Sequence, residues 1–246
     1  MKQNIHPDER PLHIPQDPIE VGGLTPLTTI DYPGELAAVI FMQGCPWRCR
    51  YCQNGGLLDR KTSHPLPWQE VIEFLSTRQG LLDAVVFSGG EPTLQKGLIR
   101  AIKQVKKMGF KIGLHTAGIY PERLSELLPL IDWVGLDIKA PDKDYQSITG
   151  VKGSGIRAWQ SAQIVIQSNV PHEFRTTLHP DIINNEQIDR LIHDLKKLGA
   201  ENFALQSCLT ENCLDASLSS KSHQLFHTVH HHKYHTLFNN FTIRKN

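Results

Sequence analysis

Six short apolar runs separated by stretches at helical spacing, with thiol and polar residues collected just after the runs, predict an α/β fold for this chain of 246 residues. The architecture they imply is a partial TIM-type (β/α)6 barrel. Its length suits one such domain better than two, and 39% hydrophobic with 21% charged residues is ordinary for a globular chain. Residues 1–23 read as an irregular leader, in which Pro7, Pro11, Pro15 and Pro18 interrupt helix and ladder alike. Residues 24–208 read as the barrel, and residues 209–246 as a His-rich extension expected to be helical.

Each element has its own warrant. Leu36 to Met42 is continuously apolar, as a strand buried on both faces of a parallel sheet must be. Trp68, Val71, Ile72 and Leu75 give Trp68 to Arg78 a helical spacing, and a strand follows at Ala84 to Phe87. Helix Leu94 to Met108 leads to strand Lys111 to Leu114, and helix Pro121 to Leu128 to strand Trp133 to Ile138. Beyond a loop with Pro141, Gly150, Gly153 and Gly155, helix Arg157 to Gln167 leads to strand His172 to Thr177. Helix Asn185 to Leu198, stopped by Gly199 as a left-handed cap, leads to strand Asn202 to Gln206. Such alternation implies parallel strands with right-handed crossovers, and the chemistry of such barrels lies at the C-terminal strand ends. Here those ends carry a cysteine loop, Ser88 to Glu91, His115 to Gly118, Asp137 with Lys139, Arg175 to His179, and Gln206 to Cys208.

A formal net charge of +1 and the lack of a dense Lys/Arg run argue against a nucleic-acid partner. No signal-like or membrane-length apolar stretch is present, so a cytoplasmic protein without membrane contact is expected. Five cysteines, three of them clustered, argue for a reducing compartment and metal ligation over a disulfide framework.

The cluster is Gln43-Gly44-Cys45-Pro46-Trp47-Arg48-Cys49-Arg50-Tyr51-Cys52, a CxxxCxxC spacing. Three thiolates in one loop can hold a 4Fe-4S cluster with one iron left open. A structural zinc knuckle or buried free thiols are the other readings, but zinc needs a fourth ligand, and the usual paired CxxC is lacking. In Ser88-Gly89-Gly90-Glu91-Pro92, Gly89 and Gly90 allow a ligand close to the backbone, and Glu91 offers a carboxylate to an ammonium group; a plain strand-to-helix turn is the alternative. Asp137 and Lys139 lie two apart on a strand and share its interior face, as a ligand site or as an ion pair.

The CxxxCxxC loop, with aromatic Tyr51 before its last cysteine, resembles that of the radical S-adenosylmethionine (SAM) enzymes, and Ser88 to Pro92 resembles their GGEP segment. The resemblance runs from about Val21 to Ser207 and implies a 4Fe-4S cluster on Cys45, Cys49 and Cys52, with SAM chelating the open iron. It further implies SAM contacts from Tyr51, Gly89, Gly90 and Glu91. Leu136-Asp137-Ile138-Lys139 resembles the DLK segment of glycyl-radical activating enzymes, Arg175 their strand-end arginine, and His115-Thr116-Ala117-Gly118 their Asp-Thr-Asn-Gly. By that resemblance Thr116, Asp137, Lys139 and Arg175 also belong to the cofactor site. His115 stands where the family has an acid, and a neutral imidazole is a poor ligand for a hard monovalent cation, so no cation site is expected there.

Together with Ile30-Asp31-Tyr32-Pro33-Gly34, LDIKAP and EFRTT, these motifs look most like the activators of anaerobic ribonucleoside-triphosphate reductase. That implies a 5'-deoxyadenosyl radical that takes a hydrogen from a glycine Cα of a glycyl radical enzyme, with a flavodoxin or ferredoxin type reductant. A radical SAM enzyme of the carboxy-deazaguanine synthase type, acting on a small molecule or nucleoside, is the alternative, and an iron-sulfur electron carrier is a third. Cys208 and Cys213 read as two unrelated thiols, and His223, His227, His231 and His235 as a solvated helix face that is metal-capable by spacing.

Overall fold

The computed structural model describes residues 19–218 and 232–245. Eight strands form one sheet in the order β1 to β8: Val21–Thr28, Ala37–Met42, Ala84–Gly89, Lys111–Thr116, Trp133–Asp137, His172–Leu178, Asn202–Ser207 and Asn240–Arg244. β1 runs antiparallel to β2, and every later neighbour pair is parallel. The six expected strands are β2 to β7, found within a few residues of their expected bounds, and they make the partial barrel. β2 is continuously apolar because almost all of it is buried.

Helices cover the outer face: α1 Trp68–Ser76, α2 Leu98–Lys107, α3 Pro121–Leu127, α4 Tyr145–Thr149, α5 Ser154–Gln167 and α6 Asn185–Leu198. α2 buries Leu98, Ala101, Ile102 and Val105, the face that spacing picks out, and leaves its lysines to solvent. α6 starts with a reciprocal capping box between Asn184 and Gln187, worth about 1 kcal/mol, and stops at Gly199 with φ 104°. The core is filled from both sides by large side chains such as Phe87, Phe174 and Phe203, each essentially inaccessible.

Three elements depart from expectation. Val21 and the two glycines after it begin a strand, not an irregular leader; Pro26 is tolerated because β1 is an edge strand whose register slips between Thr25 and Thr28. A Cβ on Gly22 would meet the ends of the Leu57 and Gln43 side chains, which lie against this strand. α4 lies in what reads as loop. In the extension, the described residues hold only a one-turn helix, His232–His235, before β8 pairs along β7, so strand geometry replaces part of the expected helix. His223, His227 and His231 lie outside the described residues; His235 packs edge-on against Phe241, ring centroids 5.0 Å apart.

Candidate active site

A cavity of about 390 Å3 opens at the C-terminal ends of the parallel strands. Its lining includes Cys45, Cys49 and Cys52, Tyr51, Gly89 and Gly90, Thr116, Asp137, Lys139 and Arg175. Ten of the expected site residues thus meet at one place although they come from four strand ends and one loop. Glu91 is the exception.

The cysteine loop leaves β2 and is pinned by backbone bonds on two sides. Gly44 and Cys45 donate to the carbonyls of Leu57 and Leu58 at 2.8 and 3.0 Å, and Arg48 and Arg50 donate to Thr149 and Ile148, at the end of α4, at 3.0 and 3.1 Å. Arg48 also caps the Cys45 carbonyl at 2.6 Å. The short helix that the sequence hides therefore holds the thiol-bearing loop. Burial pushes the Cys45 thiol up to about 12, helped by the Glu91 carboxyl, and burial likewise raises Cys49. A metal group that displaces these protons removes that cost, since only the thiolate ligates.

Among the described residues no group of three or more His, Cys, Asp or Glu side chains is placed to hold a single metal ion. Three thiols spread along one cavity wall suit a multi-iron cluster, and the Lys139 ammonium beside them offsets the negative charge of a thiolate set. The residues present fit a 4Fe-4S group on Cys45, Cys49 and Cys52.

Gly89 and Gly90 are needed by the protein itself as well as by any ligand. Gly89 has φ 107°, and a Cβ there would strike the Met42 backbone; one on Gly90 would strike the Gly44 carbonyl. Gly90 N donates to Met42 O and Glu91 N to Gly44 O, at 2.9 and 2.8 Å, so the end of β3 buttresses the root of the cysteine loop. Asn54 Nδ2 donates back to the Gly89 carbonyl at 3.2 Å.

Glu91 is placed apart from the other ten expected site residues. Its side chain is fully buried and outside the cavity lining. Thr93 N, Thr93 Oγ1 and Thr116 Oγ1 donate to Oε1 at 3.0, 2.5 and 2.7 Å, and Ala117 N donates to Oε2 at 3.0 Å. Burial raises its carboxyl above the usual range although these bonds pull the other way. The carboxylate joins the ends of β3 and β4 through these four bonds, three to Oε1 and one to Oε2.

The charged residues form a chain across the floor. Lys139 Nζ lies 3.6 Å from Asp137 Oδ2 and 5.4 Å from the centre of the Tyr51 ring. Arg175 Nε donates to Asp137 Oδ1 at 3.0 Å. Burial alone would raise Asp137, but Arg175 and then Lys139 hold its carboxyl below the ordinary value. Burial alone would lower Lys139, yet the surrounding Tyr51, Cys49 and Asp137 hold it well above. The lysine backbone N–H donates to Tyr145 Oη at 2.8 Å, which fixes the residue from the α4 side.

His115 Nε2 lies 2.7 Å from the Asp31 carbonyl, an acceptor, so this nitrogen carries the proton. Burial, and next the Arg175 guanidinium, lower its pKa to about 3, so the ring is neutral. It anchors the loop after β1, where Thr28 Oγ1 also donates to Asp31 Oδ2 at 2.6 Å, and Asp31 lines the cavity.

Sequence reasoning overlooked two contributors. Asp31 sits in a quoted motif but was given no role. Arg244, on β8, reaches the cavity and forms an ion pair with Glu173, Nη1 to Oε1 at 2.9 Å. The strand-like Phe241-Thr242-Ile243-Arg244 was the only signal for it. Cys208 also lines the cavity, with Cys213 Sγ 4.0 Å away, so the two thiols expected to be unrelated are neighbours.

Comparison with known proteins agrees with this geometry. Residues 39–203 match the family model described as the Radical SAM superfamily. A protein of Methanocaldococcus jannaschii named as a glycyl-radical enzyme activating enzyme is 35% identical over 187 residues, 72% of this chain and 75% of that one. The pyruvate formate-lyase-activating enzyme of Clostridium pasteurianum is 34% identical over 53% of this chain and 62% of its own length. The solved structure of Streptococcus suis SuiB bound to S-adenosylmethionine superposes with a TM-score of 0.63 at 16% identity, over 83% of this chain and 48% of that one. The chain thus spans three quarters of the first, under two thirds of the second and about half of the third.

Proposed function

We propose that this chain, which belongs to the radical SAM superfamily and within it to the glycyl-radical enzyme activating enzymes, generates a glycyl radical on anaerobic ribonucleoside-triphosphate reductase. The cofactors of the family are a 4Fe-4S cluster and SAM, and when bound they supply one-electron reductive chemistry that ends in removal of a hydrogen atom from a glycine Cα. The observation that carries the reading is the convergence, on one cavity, of three thiols with the Lys139–Asp137–Arg175 charge chain.

In this reading Cys45, Cys49 and Cys52 hold the cluster, and Lys139 meets the carboxylate of SAM. Asp137 keeps Lys139 and Arg175 oriented, and Tyr51 packs over the cluster loop. The mouth is rimmed by Ile30 and Leu209, both exposed, which suits an apolar contact with a protein loop better than enclosure of a small polar molecule. The reductase assignment rests on the Ile30 to Gly34, LDIKAP and EFRTT motifs. The named relative from Clostridium makes pyruvate formate-lyase the competing target, and a flavodoxin or ferredoxin type protein is the proposed reductant.

The test is anaerobic incubation of reduced, cluster-loaded protein with SAM and the reductase of the same cell. A glycyl doublet in the electron paramagnetic resonance spectrum, lost when the target glycine is alanine, supports the reading. A doublet on pyruvate formate-lyase alone would replace the partner. No doublet on any glycyl radical enzyme, with 5'-deoxyadenosine formed only on addition of a small metabolite, would overturn it.

A further inference from the structure

Cys208 closes β7 and Cys213 follows a four-residue turn in which Asn212 takes φ 62°. Their Sγ atoms are 4.0 Å apart, and both lean on one acceptor, the Leu209 carbonyl, at 3.5 and 3.0 Å. A disulfide needs about 2.0 Å between sulfurs, so closure has to bring the two about 2 Å nearer. One thiol is buried at the cavity wall while the other is partly open to solvent.

The turn is also strapped to the cysteine loop. Leu214 N donates to the Cys52 carbonyl and Asp215 N to the Arg50 carbonyl, each at 2.9 Å, and Arg50 Nε donates to Asp215 Oδ2 at 2.8 Å. Gln53 Nε2 donates to the Leu209 carbonyl at 2.9 Å, the same oxygen on which both thiols lean. The two sulfurs thus share an acceptor with Gln53 and sit beside the residues that hold Arg50 and Cys52.

We propose that Cys208 and Cys213 form a redox-active dithiol that closes to an intramolecular disulfide by exchange with a low-molecular-weight disulfide, and that closure alters how the strap holds the cysteine loop. The more accessible Cys213 thiolate attacks one sulfur of the external disulfide and releases one thiol. Cys208, giving its proton to solvent, then attacks Cys213 Sγ and releases the second. Two electrons pass from the protein sulfurs to the external disulfide, and two protons end on the released thiols. Burial pushes the Cys208 thiol up to about 12, which makes it a poor leaving group and the closed ring slow to reopen.

The cluster-loaded chain, kept anaerobic, is equilibrated with glutathione at graded ratios of oxidised to reduced form, alkylated and digested with trypsin. Residues 198–221 form one tryptic peptide that carries both cysteines. The expected result is loss of both alkylation sites from that peptide together, at a mass two hydrogens lower, reversed by excess reduced glutathione and absent in Cys213→Ser. Iron release to a chelator should proceed at different rates from the oxidised and reduced wild type and at one rate from Cys213→Ser. In a chain with Cys45, Cys49 and Cys52 all changed to serine, the same peptide should still close, independently of any cluster. A peptide that stays doubly alkylated at every ratio, or carries only glutathione adducts, overturns the proposal; equal iron release from the two wild-type forms overturns its link to the loop.

Discussion

Arg175 Nε donates to Asp137 Oδ1 across 3.0 Å, while the other oxygen of that carboxylate faces Lys139 at 3.6 Å, so one acid orients two buried cations. The arrangement separates binding from stability at Lys139. Lys139→Met keeps the apolar stem and takes away one of the two cations on Asp137, and because Arg175 remains paired the cost should stay below the roughly 3–5 kcal/mol of stranding a buried charge outright. Its unfolding free energy in urea should fall by less than about 3 kcal/mol, while SAM affinity, measured by equilibrium dialysis on cluster-loaded protein, should fall by about tenfold or more, as loss of a charge-assisted bond of about 1.5–3 kcal/mol requires. Unchanged affinity would leave Lys139 a purely structural cation.

Glu91→Ala should behave in the opposite way. It removes the shared acceptor of the N–H groups of Thr93 and Ala117 and the hydroxyls of Thr93 and Thr116, at about 1–3 kcal/mol for each buried group left unpaired. Chemical denaturation of the metal-free chain should therefore show a loss of several kcal/mol, on the order of 3 or more. Stability within about 0.5 kcal/mol of wild type would return Glu91 to a ligand-facing role.

The neutral His115 gives the fold a pH dependence with a defined sign. Its folded pKa is lowered to about 3, while the unfolded chain titrates near its ordinary value of about 6.5. Between those values the unfolded state binds the extra proton, so stability falls as pH drops from about 6.5 toward about 3. His115→Gln can still donate to the Asp31 carbonyl but cannot titrate, so its stability should vary less with pH in this window, by at most about 1.4 kcal/mol per pH unit. Parallel urea titrations of the two proteins check this.

Removal of any one of Cys45, Cys49 or Cys52 should abolish the cluster, because three thiolates already leave one iron without a protein ligand. Cys208→Ala and Cys213→Ala should keep full iron content by anaerobic reconstitution and metal analysis. A cluster retained in Cys49→Ala, or iron lost in Cys208→Ala, would redraw the ligand set.

Much of this was legible in the chain because two periodicities dominate it. Strands buried on both faces read as unbroken apolar runs, and α2 or α6 as amphipathic repeats, so β2 to β7 and the strand-end residues could be placed in advance. β1 was missed because Gly22, Gly23 and Pro26 are turn residues by propensity, and only pairing with β2 makes a strand of them. α4 was missed because five residues are too few for a period. The surroundings of Glu91 were not legible for another reason: a motif names a carboxylate but not the side of the strand it serves, and two of the residues that donate to it, Thr116 and Ala117, lie some 25 residues on.

The bond between Arg50 and Asp215 joins positions 165 residues apart. Cys45, Cys49 and Cys52 thus lie in a loop tied to three separate parts of the chain: the turn at Leu57 and Leu58, the end of α4, and the turn after β7. The loop that leaves the first parallel strand is thereby fastened to the turn that leaves the sixth, so the thiols sit on a clasp between the two ends of the partial barrel and not on a free loop.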